Sequence, residues 1–558
     1  RSSLQSGRLA VHVNTQNTGV TYWDPANNVS GFPGIPRNMT GMAQKMKEAG
    51  YRTHMVGKWD AGMATPEQTP LGMGYDSWLG YFQHANDYWQ EGLPFSSTGT
   101  LDICLNKFRD FSLYNRTYRG GVTRKIAFEL GCKVPVLHEQ SVNLEPQVNA
   151  TGCGERKGKD FCLPESCYEE SIFNEYALKV INEHDRRRPL FLFYAHHLVH
   201  TPLQIPESYL KWIDWLVKRA GGRPFDSQNR RLYAAMTLYL DTMVGKVVDA
   251  LKRRNMYDDT LIVFTADNGG PIYEPGSANN HPLKGGKYSD WEGGVRTNAF
   301  VSGGYVPLWR RGQKFDGVIS IADWYATLTR IAGVCSKDHA AEEANRYLLQ
   351  NGFAPLPPVD SRPQWDNIIY NLNGRKDPLH LSANALLHWP YKLVTGLQEY
   401  SFYQGAVYPN CSTVSGLNES GPLPADLKAF GVPILLSTNA SIQDTLTVSY
   451  DCGPGGCLYN VGCDPTEHND LAADPRYANV LFALQSKLYN LNLANFNPNR
   501  GEPALQACNQ SADLGGYYGP FVDVEGFYKG VSLTPREELV AELNKAELTV
   551  FNETLTSN

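Results

Sequence analysis

Three polar clusters in this chain contain residue types that bind anions or metal ions or transfer protons. Lys58 and Asp60 belong to the first cluster, and His200 ends the second, His-His-Leu-Val-His. The third is Asp267-Asn268-Gly-Gly. Lysine and histidine side chains donate to anionic oxygens, and carboxylate and amide oxygens are hard ligands that suit Ca²⁺ or Mg²⁺. The three clusters are therefore candidates for chemical function.

The same kind of structural unit precedes each cluster. Amphipathic patterns predict helices over 38–49, 168–184 and 232–254, and apolar runs predict strands over 51–56, 190–195 and 260–266. Strands that are apolar on both faces and alternate with helices indicate an α/β fold, with a parallel sheet covered on both sides. Ligands bind beyond the carboxyl ends of such strands. If these strands are neighbours, the three clusters meet at one edge of the sheet.

Each candidate residue also has an ordinary structural explanation. Asp-Asn-Gly-Gly is more often a turn, a lysine after a strand is usually solvated, and a histidine before Thr-Pro is commonly just hydrogen bonded. Lys287 lies in the Gly-rich segment 282–296, which could simply be flexible. No single residue therefore carries a functional assignment by itself.

The composition describes a large folded protein. The chain has 558 residues and a formal charge of −6, which excludes a broadly basic nucleic-acid binder. Hydrophobic residues make up 42%, yet no apolar run reaches the length of a membrane span. From about Pro378 the pattern changes to short strands and Cys-rich loops. We expect an α/β domain over 1–378 and a smaller α+β domain over 379–558, ending in an amphipathic helix near 535–545.

Cysteines and glycosylation sequons indicate a secreted or lysosomal protein. Most of the eleven cysteines cluster in 104–167 and 411–463 without the paired spacing of zinc sites, so disulfides are expected. The odd count leaves one thiol unpaired or paired outside this chain. Nine Asn-x-Ser/Thr sequons are also present, as expected for a protein of the secretory pathway. The alternative is that they occur by chance in a cytosolic protein.

Four motifs resemble those of the sulfatase family, in the same order and spacing. They are Gly57-Lys58-Trp59, Val199-His200-Thr-Pro-Leu-Gln-Ile-Pro206, Thr265-Ala-Asp-Asn-Gly-Gly270, and the segment from Lys287 to Arg296. The stretch Leu458–Leu471 is similar to a C-terminal family motif, and the overall pattern is similar to arylsulfatases of the N-acetylgalactosamine-4-sulfatase type. The resemblance covers nearly the whole chain and implies an alkaline-phosphatase-like fold.

The resemblance also implies a mechanism. Asp267 and Asn268 would bind Ca²⁺, Lys58 and Lys287 would hold sulfate oxygens, and His200 would bind sulfate and protonate the leaving oxygen. Arg1-Ser-Ser-Leu-Gln-Ser-Gly-Arg8 matches the second half of the family's Cys-x-Pro-Ser-Arg motif, so Arg1 would stabilise the formylglycine hydrate. The formylglycine itself, and a strand ending in Asp-Asp that completes the Ca²⁺ site, are expected upstream of Arg1.

Asp60 departs from the family pattern, which has a histidine two residues after the motif lysine. A carboxylate near a bound sulfate adds repulsion unless it is protonated or paired. Asp60 is therefore a general base in a divergent active subfamily, an ion-pair partner of Lys58, or the mark of a degenerate site. His84 is a candidate to supply the missing imidazole, the alternative being an ordinary surface histidine.

The leading hypothesis is a Ca²⁺-dependent sulfatase acting on sulfated small molecules or glycans and matured by a formylglycine-generating enzyme. Two alternatives stay open. One is a phosphatase or phosphodiesterase of the same superfamily, although the sequence lacks the Asp and His density for two metal sites. The other is a sulfatase-like protein without activity that binds sulfated glycans.

Overall fold

The computed structural model describes most of the chain. The described residues are 1–14, 19–89, 104, 108–132, 148–156, 159–222, 225, 227–273, 277–404 and 449–524. No helix in these ranges is long and apolar enough to cross a membrane. The amphipathic helix expected near 535–545 lies outside them.

The helices and strands are numbered here in chain order. The α-helices are α1 Ser2–Ser6, α2 Met42–Glu48, α3 Arg124–Glu129, α4 Glu169–Glu183, α5 Glu207–Arg219, α6 Gln228–Arg253, α7 Glu292–Val295, α8 Asp323–Ile331, α9 His339–Gln350, α10 Trp365–Tyr370, α11 Ala478–Asn492 and α12 Leu505–Asp513. The strands are β1 Tyr22–Trp23, β2 Arg52–Gly57, β3 Ser77–Gly80, β4 Ser112–Tyr114, β5 Arg119–Gly121, β6 Cys153–Arg156, β7 Lys159–Cys162, β8 Leu190–Ala195, β9 Ile262–Thr265, β10 Ala299–Ser302, β11 Leu379–Ser382, β12 Ala385–His388, β13 Tyr391–Val394, β14 Leu397–Gln398, β15 Tyr450–Asp451, β16 Cys457–Asn460 and β17 Glu502–Pro503.

The largest sheet has five strands in the order β5-β4-β3-β2-β8. Strand β2 pairs in parallel with both β3 and β8, whereas β4 and β5 are added antiparallel, so the sheet is mixed. Successive residues of β2 face opposite layers because side chains alternate along a strand. Met55 packs in one buried cluster and Val56 in another, the second of which contains residues of α4. The predicted α/β fold, with helices flanking the sheet, is confirmed.

The assumption that all three predicted strands are neighbours is wrong for the third. Strand β9 pairs antiparallel with β10, not with β8. A groove of about 1400 Å³ lies between β8 and β9, and every residue of both strands lines it. Because residues of both faces line the groove, it runs along the strand edges, and α6 and α8 supply further walls. Neither of these two edges is paired within the described ranges.

A second, antiparallel sheet lies in the C-terminal part of the chain. Its four strands follow the order β11-β12-β13-β16, and α11 packs against β12 and β13. Leu386, Leu393 and Leu458 are fully buried beside Leu484 and Leu488 of α11. This is the expected smaller α+β unit, and its boundary near residue 378 stays a prediction.

Eight cysteines form the expected disulfides. The pairs are Cys104–Cys508, Cys132–Cys167, Cys153–Cys162 and Cys452–Cys457. Cys335 and Cys463 are exposed free thiols within the described part of the chain, and Cys411 lies outside it. The first pair joins residues 404 positions apart, and so links the 104–167 region to α12.

Candidate functional site

The first polar cluster directly continues strand β2. The backbone N–H of Lys58 donates to the Ala195 carbonyl at 3.0 Å, which extends the parallel pairing with β8 by one residue. Trp59 is fully buried, and its indole N–H donates to the carbonyls of Gly62 and Gln68. Asp60 follows with a φ of +43°, in the left-handed region that non-glycine residues rarely occupy. The local fold thus fixes Lys58 and Asp60 at the end of the strand.

The second cluster is held by the first turn of α4. Glu170 accepts hydrogen bonds from the backbone N–H of His197 and of Leu198, and its other oxygen lies 3.0 Å from Nδ1 of His196. Glu169 lies 2.7 Å from Nδ1 of the buried His197. Sequence reasoning missed both glutamates, because acidic residues in the first turn of a helix are commonly explained by the helix dipole alone. They shape the loop that carries His200.

The third cluster packs against the loop that carries Lys287. The Gly269 N–H donates to the Gly294 carbonyl at 2.8 Å, and the Lys287 N–H donates to the Gly270 carbonyl at 3.1 Å. A Cβ atom on Gly269 would collide with the carbonyl oxygen of Gly293, so the close approach requires glycine there. The glycines therefore serve to bring the two loops together.

Six of the seven sequence-predicted site residues lie at one end of the groove. Arg1, Lys58, His200, Asp267, Asn268 and Lys287 all line it. Lys287 Nζ lies 3.0 Å from Nε2 of His200, and an Arg1 guanidinium nitrogen lies 3.7 Å from Oδ2 of Asp267. The seventh, Asp60, lines an adjoining cavity of about 370 Å³ together with Arg1, Asp267 and His84.

Asp60 bridges two basic side chains. Its Oδ2 lies 3.3 Å from Lys58 Nζ, and its Oδ1 lies 2.9 Å from His84 Nδ1. Burial raises the pKa of Asp60, but the charges of Lys58, His84 and Arg1 outweigh that effect and hold it well below its usual range. Asp60 is therefore an anion that forms an ion pair with Lys58, as one of the three alternatives expected. Because its pKa is low, it is a weak base.

The cations in this cluster lower one another's affinity for protons. Burial, and after it the charge of Arg1, lowers the pKa of Lys58 to about 8, although Asp60 opposes the shift. Burial, followed by the charges of Lys58 and Lys287, lowers the pKa of His200 to about 3. His200 is therefore neutral: its Nδ1 donates to the Thr201 carbonyl at 2.7 Å and its Nε2 accepts from Lys287. The arrangement is a cationic site suited to an anion.

The oxygens of Asp267 and Asn268 fit a hard divalent cation. Desolvation raises the pKa of Asp267, but the charges of Arg1 and Lys58 outweigh that effect and lower the pKa below its usual value. The carboxylate therefore stays ionised. Its side chain is 53% exposed, and Asn268 donates through Nδ2 to Gly269, which leaves the amide oxygen outside that bond. No group of three or more His, Cys, Asp or Glu side chains suited to a metal occurs in the described ranges. Two ligands are fewer than the six to eight of a Ca²⁺ site, so others must complete it.

A buried ionic cluster connects this site to the C-terminal sheet. Lys392 of β13 is fully buried, and its Nζ lies 2.9 Å from carboxylate oxygens of both Glu292 and Glu467. Glu467 also accepts the backbone N–H of Glu292 at 2.7 Å. Glu292 begins α7, in the same loop as Lys287. Both glutamates lie within motifs that were identified from the sequence. Their proximity could not be predicted, because they are 175 residues apart.

A cationic cluster at the strand ends of a helix-covered sheet is typical of hydrolases that act on anionic esters. The sulfatase family model matches residues 1–334, and the chain belongs to that family. Members are sulfuric ester hydrolases, so the assignment made from the four motifs is confirmed. The finer similarity to the N-acetylgalactosamine-4-sulfatase type stays a prediction.

Individual relatives agree with this assignment. Arylsulfatase J of Mus musculus is 26% identical over 94% of this chain and 72% of its own length. N-acetylgalactosamine-6-sulfatase of Homo sapiens is 25% identical over 64% of this chain, which spans 57% of that protein's length. The crystal structure of Ps i-CgsB in complex with k-i-k-neocarrahexaose is 19% identical, with a TM-score of 0.55 over 92% of this chain and 86% of that one. This last likeness concerns the fold alone.

Proposed function

We propose that this chain hydrolyses sulfate esters of glycans at the cluster of Arg1, Lys58, His200 and Lys287. The observation that carries the proposal is the 3.0 Å pair of Lys287 and His200, with Lys58 and Arg1 lining the same end of the groove. A sulfate ester is an anion whose bridging oxygen gains charge as the ester bond breaks. Fixed cations around it stabilise that change because they need no reorganisation.

In the proposed reaction, binding of the anionic substrate favours protonation of His200, which then acts as the acid. Burial, Lys58 and Lys287 keep His200 neutral in the free site. An anion held by both lysines offsets their charge, which raises the pKa of His200 and favours its protonated form. When Lys287 donates to the bound sulfate instead of to Nε2, His200 takes up a proton from water at Nε2 and passes it to the departing oxygen, while Nδ1 keeps its bond to the Thr201 carbonyl. The guanidinium of Arg1 lies 3.7 Å from Asp267 and partly neutralises the charge of that carboxylate.

The proposal includes Ca²⁺ and a formylglycine. Asp267 and Asn268 would contribute to holding Ca²⁺, since one is an ionised carboxylate and the other an amide with an available oxygen. Ca²⁺ would supply a Lewis acid there, and a formylglycine, expected upstream of Arg1 and made by a formylglycine-generating enzyme, would supply the nucleophile. The groove between β8 and β9 supports this, because its two strand edges, which are unpaired among the described residues, can accept an extended segment that ends beside Arg1.

A secreted or lysosomal location is supported by nine sequons in the sequence and by the four disulfides among the described residues. A glycan substrate is supported by the name of the human relative, N-acetylgalactosamine-6-sulfatase. The division into domains 1–378 and 379–558 is proposed with them.

The test is an assay of the protein and two variants, expressed from the complete gene together with a formylglycine-generating enzyme. We expect Ca²⁺-dependent hydrolysis of p-nitrophenyl sulfate, lost in Lys287→Ala and kept in Lys314→Ala, which changes an exposed lysine. Faster turnover of p-nitrophenyl phosphate would instead indicate a phosphatase. Binding of chondroitin sulfate without any turnover would indicate the binding protein without activity.

A further inference from the structure

His84 follows strand β3, which pairs in parallel with β2, the strand that precedes Lys58. The N–H of Trp59 donates to the Tyr81 carbonyl at 2.8 Å, and the N–H of Asp60 donates to the Phe82 carbonyl at 3.1 Å. These bonds continue the parallel pairing of β2 and β3 past the strand ends. His84 therefore follows β3 as Asp60 follows β2, and the two side chains meet.

A second carboxylate fixes the backbone in front of His84. Asp110 accepts from the N–H of Phe82 at 2.7 Å and from the N–H of Gln83 at 2.8 Å, one with each oxygen. Asp110 is buried, so these bonds are shielded from water. The ring of His84 is 26% exposed, and the cavity that it lines also contains Arg1 and Asp267. An ordinary surface histidine does not have such a support.

The partner of the ring determines its tautomer. Asp60 is ionised and can only accept, so Nδ1 of His84 must carry the proton in the 2.9 Å bond. The lone pair of the neutral ring is then on Nε2. His200 differs, because its Nε2 lone pair is already taken by Lys287. In the free site, His84 is therefore the one of these two imidazoles with a nitrogen available for a proton.

We propose that His84 is an acid–base residue of this site and that Asp60 is its positioning residue, an inference that rests on the proposed function. Nε2 of His84 takes a proton from a hydroxyl or water in the cavity: that O–H bond breaks, an N–H bond forms, and the imidazolium stays paired with Asp60. The proton then leaves through the exposed edge of the ring. The charged groups that face the ring are Asp60, with Lys58 behind it, Asp110 beneath the loop, and Arg1 and Asp267 across the cavity.

The experiment compares three variants of the native protein. His84→Gln removes the imidazole, Asp60→Asn keeps the shape but removes the charge, and His339→Gln removes a matched surface pair with Glu342, whose atoms are 3.2 Å apart. The readouts are kcat and KM for p-nitrophenyl sulfate from pH 5 to 9, and the affinity for inorganic sulfate by calorimetry. Far-ultraviolet circular dichroism checks the fold.

We expect kcat of His84→Gln to fall by about 10²- to 10⁴-fold, with KM and sulfate affinity within about threefold of the parent. One limb of the pH–rate profile should be lost, and Asp60→Asn should change the same limb while His339→Gln changes nothing. A folded His84→Gln variant that keeps kcat and both limbs overturns the inference. An inactive parent protein overturns the proposed function instead, and with it the role of the pair.

The second readout does not depend on turnover. Diethyl pyrocarbonate modifies an unprotonated, accessible imidazole nitrogen, and mass spectrometry of the peptides assigns the site. At pH 7 we expect His84 to react at least about tenfold faster than His200, and inorganic sulfate to protect it. Asp60→Asn should abolish the protection if Asp60 orients the ring. Reaction of His84 at the rate of His339, with or without sulfate, contradicts a place for His84 in the site.

Discussion

The ammonium group of Lys287 donates to Nε2 of His200 across 3.0 Å, so a cation occupies the nitrogen that would otherwise accept a proton. The two residues are 87 positions apart and lie on different loops. In the free protein, burial, the charge of Lys58 and this contact together keep the imidazole neutral.

Lys287→Met is therefore expected to raise the pKa of His200 from about 3. Burial is the largest cause of the low value and persists in the variant, so the pKa should stay below 6.5. NMR titration of histidine-labelled protein measures the change. Lys211→Met is the control, because that lysine pairs with Glu207 on an exposed helix surface. An unchanged His200 titration in Lys287→Met would show that Lys287 has no effect on it.

Inorganic sulfate is expected to stabilise the protein. An anion that binds only the folded state adds about 2.7 kcal/mol at 100 times its Kd. The thermal unfolding midpoint should rise with sulfate concentration, and the rise should be lost in Lys58→Met and in Lys287→Met. Chloride at equal ionic strength controls for screening. An equal rise in the two variants would place the bound anion elsewhere.

Asp60→Asn is expected to destabilise the protein by about 1 to 3 kcal/mol at pH 7, since a charged hydrogen-bond acceptor is lost. The folded-state pKa of Asp60 lies below the unfolded value. Its contribution is therefore complete above the unfolded pKa, near 4, and is lost as the pH falls through the folded value. Urea unfolding at several pH values should show the difference between parent and variant shrinking below about pH 4. A difference independent of pH would contradict the ionised state of Asp60.

Lys392→Met is expected to cost about 3 to 5 kcal/mol, because it leaves Glu292 and Glu467 buried without their cation. Burial lowers the pKa of Lys392, but the two glutamates outweigh it and raise the pKa, so this stabilisation is lost only as the pH rises through that value. Denaturant unfolding measures the loss, with the exposed Lys376→Met as control.

The double variant Lys392→Met/Glu467→Gln separates lost attraction from stranded charge. It should recover part of the stability, since one of the two uncompensated carboxylates is removed. Equal stability of the double and single variants would mean that the penalty does not come from Glu467.

Removal of the Cys104–Cys508 disulfide by Cys508→Ser is expected to lower stability by about 2 to 5 kcal/mol, because the bond closes a loop of 404 residues. Cys463→Ser changes an exposed free thiol and should have no such effect. Thermal unfolding in the absence of reductant compares the two. With reductant present, parent and Cys508→Ser should unfold alike if this bond dominates the difference.

Much of the fold could be predicted from local sequence patterns. The helix expected over 168–184 is α4 Glu169–Glu183, and the apolar run 190–195 is β8, because periodicity and a proline break are properties of neighbouring residues. The pairing of β9 with β10 could not be predicted, since an apolar strand fits either partner.

The sequence by itself determined which residues are candidates for chemistry, since Lys58, His200, Asp267 and Lys287 belong to short motifs with fixed residue types. Only the tertiary structure decided how these residues act on one another. His200 is neutral because it is buried and because two lysines that are distant in sequence lie near it. Asp60 is an anion held between Lys58 and His84. Protonation depends on charges and burial contributed by chain segments far apart in sequence, and a linear pattern does not contain those distances.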